Sequence, residues 1–334
     1  MDLTLTEDQQ LVQSTAREFL AGRTGADLWK EIVELGWTGL TVPEAHGGIG
    51  ADFLDACLVA EELGRAGAAT PFAATVATAM TIARSATEEQ QQRWLPAIVA
   101  GAAVAHADLT ATSSGDGHLV TGRAEFVPFA ATADLLLITA GPVTALIDRD
   151  TPGITSQRLD VIGNEPVDAV TFDAVPVPAD QSFAADTATG YATVLTCAEM
   201  VGGAQAVLDL TVDYAGQRRQ FGRPIGSFQA VQHHCANMAI DVLAARFATY
   251  EAAWRLGSGS DASMSDASME VSTAKAVASD AYQRVCALGH QVHGAIGFTA
   301  EHHLHRYLRH ATAAALTYGD ADFHLDHLAT QLGL

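Results

Sequence analysis

The 334-residue chain has only four cysteines, Cys57, Cys197, Cys235 and Cys286. They are far apart and form no CxxC pair. That excludes a disulfide scaffold or a clustered thiolate site, and it points to a reduced, cytosolic compartment. Basic residues are scarce: 18 against 39 acids, for a net charge of −21. Nucleic acid and anionic membrane both need a basic face, so neither is expected as a partner. No apolar run reaches the eighteen or so residues of a membrane span, and the opening MDLTLTEDQQ is too acidic and polar for a signal peptide. There is no GxSxG, no HExxH and no GxGxxG after a strand, which removes the commonest hydrolase, metalloprotease and Rossmann signals. Eight histidines gather late (His290, His293, His302, His303, His305, His310, His324, His327). No carboxylate-bearing ligand set accompanies them, so no metal site is expected.

What is present is a 49% hydrophobic chain, long enough to bury a large core in two or three units. Residues 1–101 read as helices. TEDQQLVQSTAREFLA has Thr6 as N-cap and acids in its first turn, DLWKEIVELGW stops at Gly36, and DFLDACLVAEELGRAG and ATEEQQQRWLPAIVAG follow. Residues 102–183 change texture. HLVTGRAEFV, ADLLLITAG, VTALIDRD, ITSQRLDVIG and DAVTFDAVPVP are short, β-branched and bounded by Gly, Pro and Asp, which predicts a small sheet or barrel. Residues 184–334 return to long Ala-rich helices, interrupted at FGRPIGSF and at a loop over 257–269.

Two segments carry more than this pattern. In DYAGQRRQFGRPIGSFQAVQHHCANM, Arg218 precedes the turn Gln220–Phe221–Gly222, followed by Pro224, Phe228 and Gln229. In QVHGAIGFTAEHHLHRYLRHA, Gln291, Gly294, Gly297 and Phe298 are followed by Arg309. Together they resemble the acyl-CoA dehydrogenase family. GWTGLTVPEAHGGIG and EELGRAGAATPF are similar to the family's first helical domain, so the resemblance covers nearly the whole chain. It implies a mainly α fold with a small β domain: an N-terminal helical domain, a middle β domain and a C-terminal four-helix bundle. It also implies FAD lying across a subunit interface. Arg218, Gln220, Phe221, Gln229, Gln291 and Gly294 would contact a neighbouring subunit's cofactor, Arg as a permanent cationic fork for phosphate and glycine as a close backbone approach.

The family's reaction removes the α-proton of an acyl-CoA thioester while hydride leaves the β-carbon for the flavin, and it needs a carboxylate base beside the ring. In most members this is the Glu of Tyr-Glu-Gly-Thr. In register from Gln291, that Glu falls on Tyr318, the Gly on Gly319 and the Thr on Asp320. Tyrosine, with a reference pKa near ~10, is a poor base at neutral pH. Other members carry the base on the helix before the Arg-Phe-Gly turn, and here that position is Ala192. The nearest carboxylate, Glu199, lies seven residues later on about the same helix face and is the candidate displaced base. HADLTATSSGDGHLVTG also lacks the family's Thr-Glu-Pro-x-x-Gly-Ser-Asp loop. In EFVPFAATADLLLI, Pro128 stands where a hydroxyl residue belongs, with neither a side-chain donor nor an N–H.

The resemblance therefore implies the smaller, degenerate subunit of a heteromeric acyl-CoA dehydrogenase, an α2β2 heterotetramer. Its partners would be a full-length dehydrogenase subunit, an acyl-CoA substrate and an electron-transfer acceptor. Similar split enzymes act in actinobacterial breakdown of steroid-derived CoA esters. Two alternatives stay open: a homo-oligomeric dehydrogenase using Glu199, and a catalytically silent scaffold.

Overall fold

The computed structural model describes residues 4–23, 25, 27–109, 118–140, 143–183, 188–257, 264–299 and 301–334. Five helices come first: α1 (Glu7–Leu20), α2 (Leu28–Glu34), α3 (Phe53–Ala66), α4 (Phe72–Ser85) and α5 (Glu88–Val99). Thr6 caps α1 in a reciprocal capping box with Gln9, satisfying two of the N–H groups that every helix start leaves open. α2 stops where Gly36 takes φ +75°, a conformation glycine adopts without penalty.

Seven strands follow: β1 (Val104–Leu109), β2 (His118–Pro128), β3 (Leu135–Ala140), β4 (Val143–Asp148), β5 (Ile154–Arg158), β6 (Val167–Val177) and β7 (Ser182–Phe183). They form two sheets, ordered β1-β3-β4-β7 and β2-β6-β5. β1 runs parallel to β3 and the other pairs are antiparallel. Alternation along the strands splits the buried residues in two. Ala105, Leu136, Ile138 and Ile147 pack on Val170, Phe172 and Val175 of the second sheet, whereas Val104, Leu135, Leu137 and Leu146 pack on Ile82, Trp94, Leu95 and Ile98 of α4 and α5. Strand β1 is not among the stretches expected from the sequence, because VAHADL has little of the β-branched signal.

The chain continues with α6 (Ala188–Gln217), a hairpin of β8 (Arg219–Gln220) and β9 (Arg223–Pro224), then α7 (Gln229–Gly257), α8 (Met264–His293), α9 (Leu304–Leu316) and α10 (Ala321–Leu332). The expected loop over 257–269 is shorter than its Ser/Gly composition indicates. α7 continues through Gly257 and α8 begins at Met264, and 258–263 lie outside the described residues.

Helices from both ends of the chain share one core, joining Phe53, Val59 and Leu63 of α3 to Val194, Met200 and Val207 of α6 and Tyr282 of α8. Glycines set the α3–α6 distance. A Cβ on Gly202 would meet Glu61 O at 1.7 Å, and one on Gly64 would meet Glu199 O at 1.9 Å. Around this crossing Glu61 accepts from Arg246 and from the Tyr250 hydroxyl, and Glu62 pairs with Arg17. The buried carboxylates are thereby compensated. Among the described residues, no helix is long and apolar enough to cross a membrane, and no group of three or more His, Cys, Asp or Glu is placed to hold a metal ion.

Candidate functional site

Tyr318 follows α9 with φ +58°, the left-handed region that a bulky residue enters only when its surroundings hold it there. Donors from two other helices hold this turn. Lys275, fully buried on α8, donates to Ala315 O at 2.9 Å, to Gly319 O at 2.7 Å and to the Ser279 hydroxyl. His324 of α10 donates from Nε2 to Tyr318 O at 3.0 Å. Gly319 has φ +95°, and a Cβ there would lie 2.4 Å from Phe323. Asp320 caps α10 by accepting from the Phe323 N–H at 2.8 Å, so this residue has a structural role of its own.

The Tyr318 hydroxyl points across the seam to β1, 3.5 Å from Nδ1 of His106. Nε2 of His106 donates to Ala74 O at 3.0 Å, which leaves Nδ1 as the acceptor. Burial lowers the His106 pKa to about 4, against an opposing pull from Asp108. Burial also raises the Tyr318 pKa, helped by the negative charges of Asp108 and Glu199. A neutral phenol thus donates to a neutral imidazole. His106 was invisible in the sequence because its strand was.

This arrangement fixes a pH dependence. The folded pKa of His106 lies below the unfolded value of 6.5, so the unfolded chain binds the extra proton between pH 6.5 and 4. The contribution is intact above that window and is lost as pH falls through it, up to about 3 kcal/mol. Urea unfolding of the wild type at pH 7 and pH 4.5 is expected to show that loss, and His106→Gln is expected to have a flatter profile.

Ala192 is a buried methyl on α6 and offers no base. Glu199, two turns on, makes no hydrogen bond or ion pair among the described residues. Burial raises its pKa well above the ordinary carboxylate value, with Glu165 adding to the shift. It sits within electrostatic reach of Tyr318 and Tyr282. Glu165, on the β5–β6 connection, is 3.6 Å from His310, and Nδ1 of His310 is 3.3 Å from the Tyr282 hydroxyl. Nearby, Arg309 donates to Ile162 O and Gly163 O, so this motif arginine docks the middle domain onto α9. Pro128 ends β2 between Phe126 (φ +56°) and Phe129 (φ +60°), a bulged stretch paired with β6. The residues of the expected missing loop, 110–117, lie outside the described set.

The other candidate residues face outward. The β8–β9 hairpin turns on Phe221 and Gly222, both left-handed (φ +52° and +78°), as a two-residue hairpin with the right twist requires. Phe221 is 92% exposed at the tip. Arg218 and Gln220 are exposed beside it, and Gln229 is exposed at the start of α7. Arg223 lies over the Phe228 ring at 4.1 Å. Among the described residues the Arg218 guanidinium has no partner. At the end of α8, Gln291 and Gly294 are exposed beside a cleft of about 540 Å³ lined by Ala287, His290, Gln291, Gly294, Phe298 and Leu308. Tyr214 of α6 stacks on His293 of α8, with centroids 4.5 Å apart. That contact puts the end of α6, which leads into the hairpin, beside the end of α8, which leads into the cleft.

Comparison with known proteins agrees with this architecture. The family model described as acyl-CoA dehydrogenase, C-terminal domain, matches residues 184–333, and the N-terminal domain model matches residues 6–102. The probable acyl-CoA dehydrogenase YngJ of Bacillus subtilis is 30% identical over 99% of this chain and 100% of its own length. Acyl-CoA dehydrogenase FadE27 of Mycobacterium tuberculosis is 30% identical over 94% of this chain and 90% of its own. Among solved structures, the ChsE4–ChsE5 complex of Mycobacterium tuberculosis contains a chain 28% identical to this one, with a TM-score of 0.92, covering 100% of this chain and 99% of that one. With both family domains matched and the helical–β–helical order in place, the chain belongs to the acyl-CoA dehydrogenase family of FAD-dependent oxidoreductases.

Proposed function

We propose that this chain is the subunit without a catalytic base in a heteromeric acyl-CoA dehydrogenase, assembled as an α2β2 heterotetramer in the cytoplasm. The observation that carries the reading is an asymmetry. The position of the usual base is closed by Tyr318 on His106, whereas the cationic hairpin and the Gln291–Gly294 cleft are exposed. Arg218, Gln220, Phe221, Gln229, Gln291 and Gly294 would contact the FAD of the partner subunit, where the flavin supplies the hydride acceptor. These residues suit such a contact, with a guanidinium lacking a partner among the described residues, an exposed strained aromatic, and a left-handed Gly294 with open space where a side chain would stand. The chain's own ring-side residues, Pro128 and Tyr318, do not fit a flavin and base.

An apolar stripe supports a protein partner. Ile240, Leu243, Phe247 and Trp254 follow one face of α7 and are each 46–64% exposed, a pattern that marks interaction surfaces. The division into 1–101, 102–183 and 184–334 belongs to the same reading. The analogy with split actinobacterial enzymes extends it to acyl-CoA esters derived from steroids, with an electron-transfer protein as acceptor.

Tyr318→Phe in the assembled complex tests the missing base. It removes one long hydrogen bond, worth under about 1 kcal/mol, so turnover is expected to stay within twofold of wild type. Abolished turnover would sink the proposal. A second reading, Glu199 as displaced base, is favoured by its half-buried carboxyl, which has no hydrogen-bond partner among the described residues. Under the first reading Glu199→Gln leaves turnover of the complex unchanged, and under the second it removes it.

A further inference from the structure

Among the described residues few buried side-chain nitrogens lack a hydrogen-bond partner, and Nε2 of His290 is one of them. The imidazole is 5% exposed. Its Nδ1 lies 2.8 Å from Cys286 O, and a carbonyl can only accept, so Nδ1 carries the proton. In the neutral ring Nε2 is then a lone pair with nothing to accept from among the described residues, a state that native structures rarely leave unexplained. The ring stands in the wall of the cleft at the end of α8, between Gln291 and Phe298. Phe298 leans over it with centroids 4.7 Å apart at 52°, and is itself 69% exposed, so packing against the described residues leaves most of its ring uncovered. Gly294 leaves the cleft floor open, with no atom within 4 Å of where a Cβ would stand.

A second histidine on the same helix, His293, is the comparison. His293 repeats the local pattern, with Nδ1 2.8 Å from Gly289 O and a partnerless Nε2. Its ring, however, is covered by Tyr214 at 4.5 Å and by His302 at 4.9 Å, and it does not line the cleft.

We propose that Nε2 of His290 accepts a hydrogen bond from the exocyclic amino group of an aminopurine, so that the cleft selects adenine over hypoxanthine. The inference rests on the reading that this cleft receives the adenosine end of a partner's cofactor, and it adds the residue that reads the base. Adenine presents an N–H donor at that position. Hypoxanthine presents a carbonyl oxygen, which sets lone pair against lone pair and leaves the buried acceptor unpaired.

The test uses the full chain, labelled with ¹⁵N-histidine and on backbone amides, titrated with ADP and with IDP. ADP is expected to bind about tenfold more tightly, as for one hydrogen bond gained against one left unmade, and to shift the His290 Nε2 resonance where IDP does not. His290→Phe is expected to bind both nucleotides equally, while His293→Phe keeps the preference. Equal binding of ADP and IDP to the wild type, with the Gly294 amide shifting in both titrations, overturns the role of His290 and leaves the cleft reading standing. A Gly294 amide that moves with neither nucleotide overturns both. The wild-type selectivity and the Nε2 shift decide the matter even if a variant fails to fold.

Discussion

Gly202→Ala is expected to be the most damaging single-methyl substitution in the α3–α6 contact, lowering Tm by about 10 °C or preventing soluble expression. The added Cβ would sit 1.7 Å from Glu61 O and 2.7 Å from Arg65 N. Both obstacles are backbone of α3, and no rotamer change relieves them. Either the two helices separate, opening the core around Leu63, Met200 and Val201, or α3 distorts where Glu61 meets Arg246 and Tyr250. Overpacking of this kind costs roughly 3–5 kcal/mol, at the upper end for point substitutions, against a total stability of about 5–15 kcal/mol. Gly216→Ala is the control. It lies in the last turn of the same helix with nothing within 4 Å of where its Cβ would stand, so it should be neutral or stabilising by up to about 1 kcal/mol. Thermal denaturation of the two variants side by side checks the claim.

Arg218→Ala carries the largest functional effect. The guanidinium is exposed and has no partner among the described residues of the chain, so its removal should leave stability within about 0.5 kcal/mol of wild type. In the assembled complex the same change is expected to weaken FAD binding by roughly 10- to 100-fold, the loss of one charge-assisted contact to phosphate. Arg218→Lys should recover part of it, because lysine keeps the charge but not the planar fork. Flavin fluorescence of the complex at graded FAD concentrations measures this, with sedimentation confirming that the assembly is intact. A complex that holds FAD equally well without Arg218 would remove the hairpin from the cofactor site.

The long helices and most strands were legible because their signals are local. Thr6 with Gln9 is a capping box, Gly36 and Gly222 adopt left-handed turns, and ITSQR and DAVTFDAVPV are short β-branched runs bounded by turn residues. The outward-facing half of the candidate site was legible for a related reason: a cationic two-residue hairpin and a glycine-spaced turn leave compact motifs. The inward-facing half was not. His106 belongs to an alanine-rich strand whose pairing with β3 is long-range, so nothing near it in sequence marks either the strand or its bond to Tyr318. The role of Asp320 as the cap of α10 became clear only with the turn that Lys275 and His324 hold, two residues from separate helices. The partnerless nitrogen of His290 is likewise a property of packing. One segment over-read was the Ser/Gly/Asp run near 260, where helix α8 starts at Met264 although its composition resembles a loop.

The proposed function holds that this chain contributes to a cofactor site it cannot complete alone. FAD content and acyl-CoA dehydrogenase activity test that directly, measured on the chain purified by itself and after co-expression with an adjacent full-length dehydrogenase gene. Colourless, inactive protein is expected from the chain alone, and a yellow, active heteromer with FAD bound is expected on co-expression. A yellow, active homo-oligomer of this chain would contradict the split site.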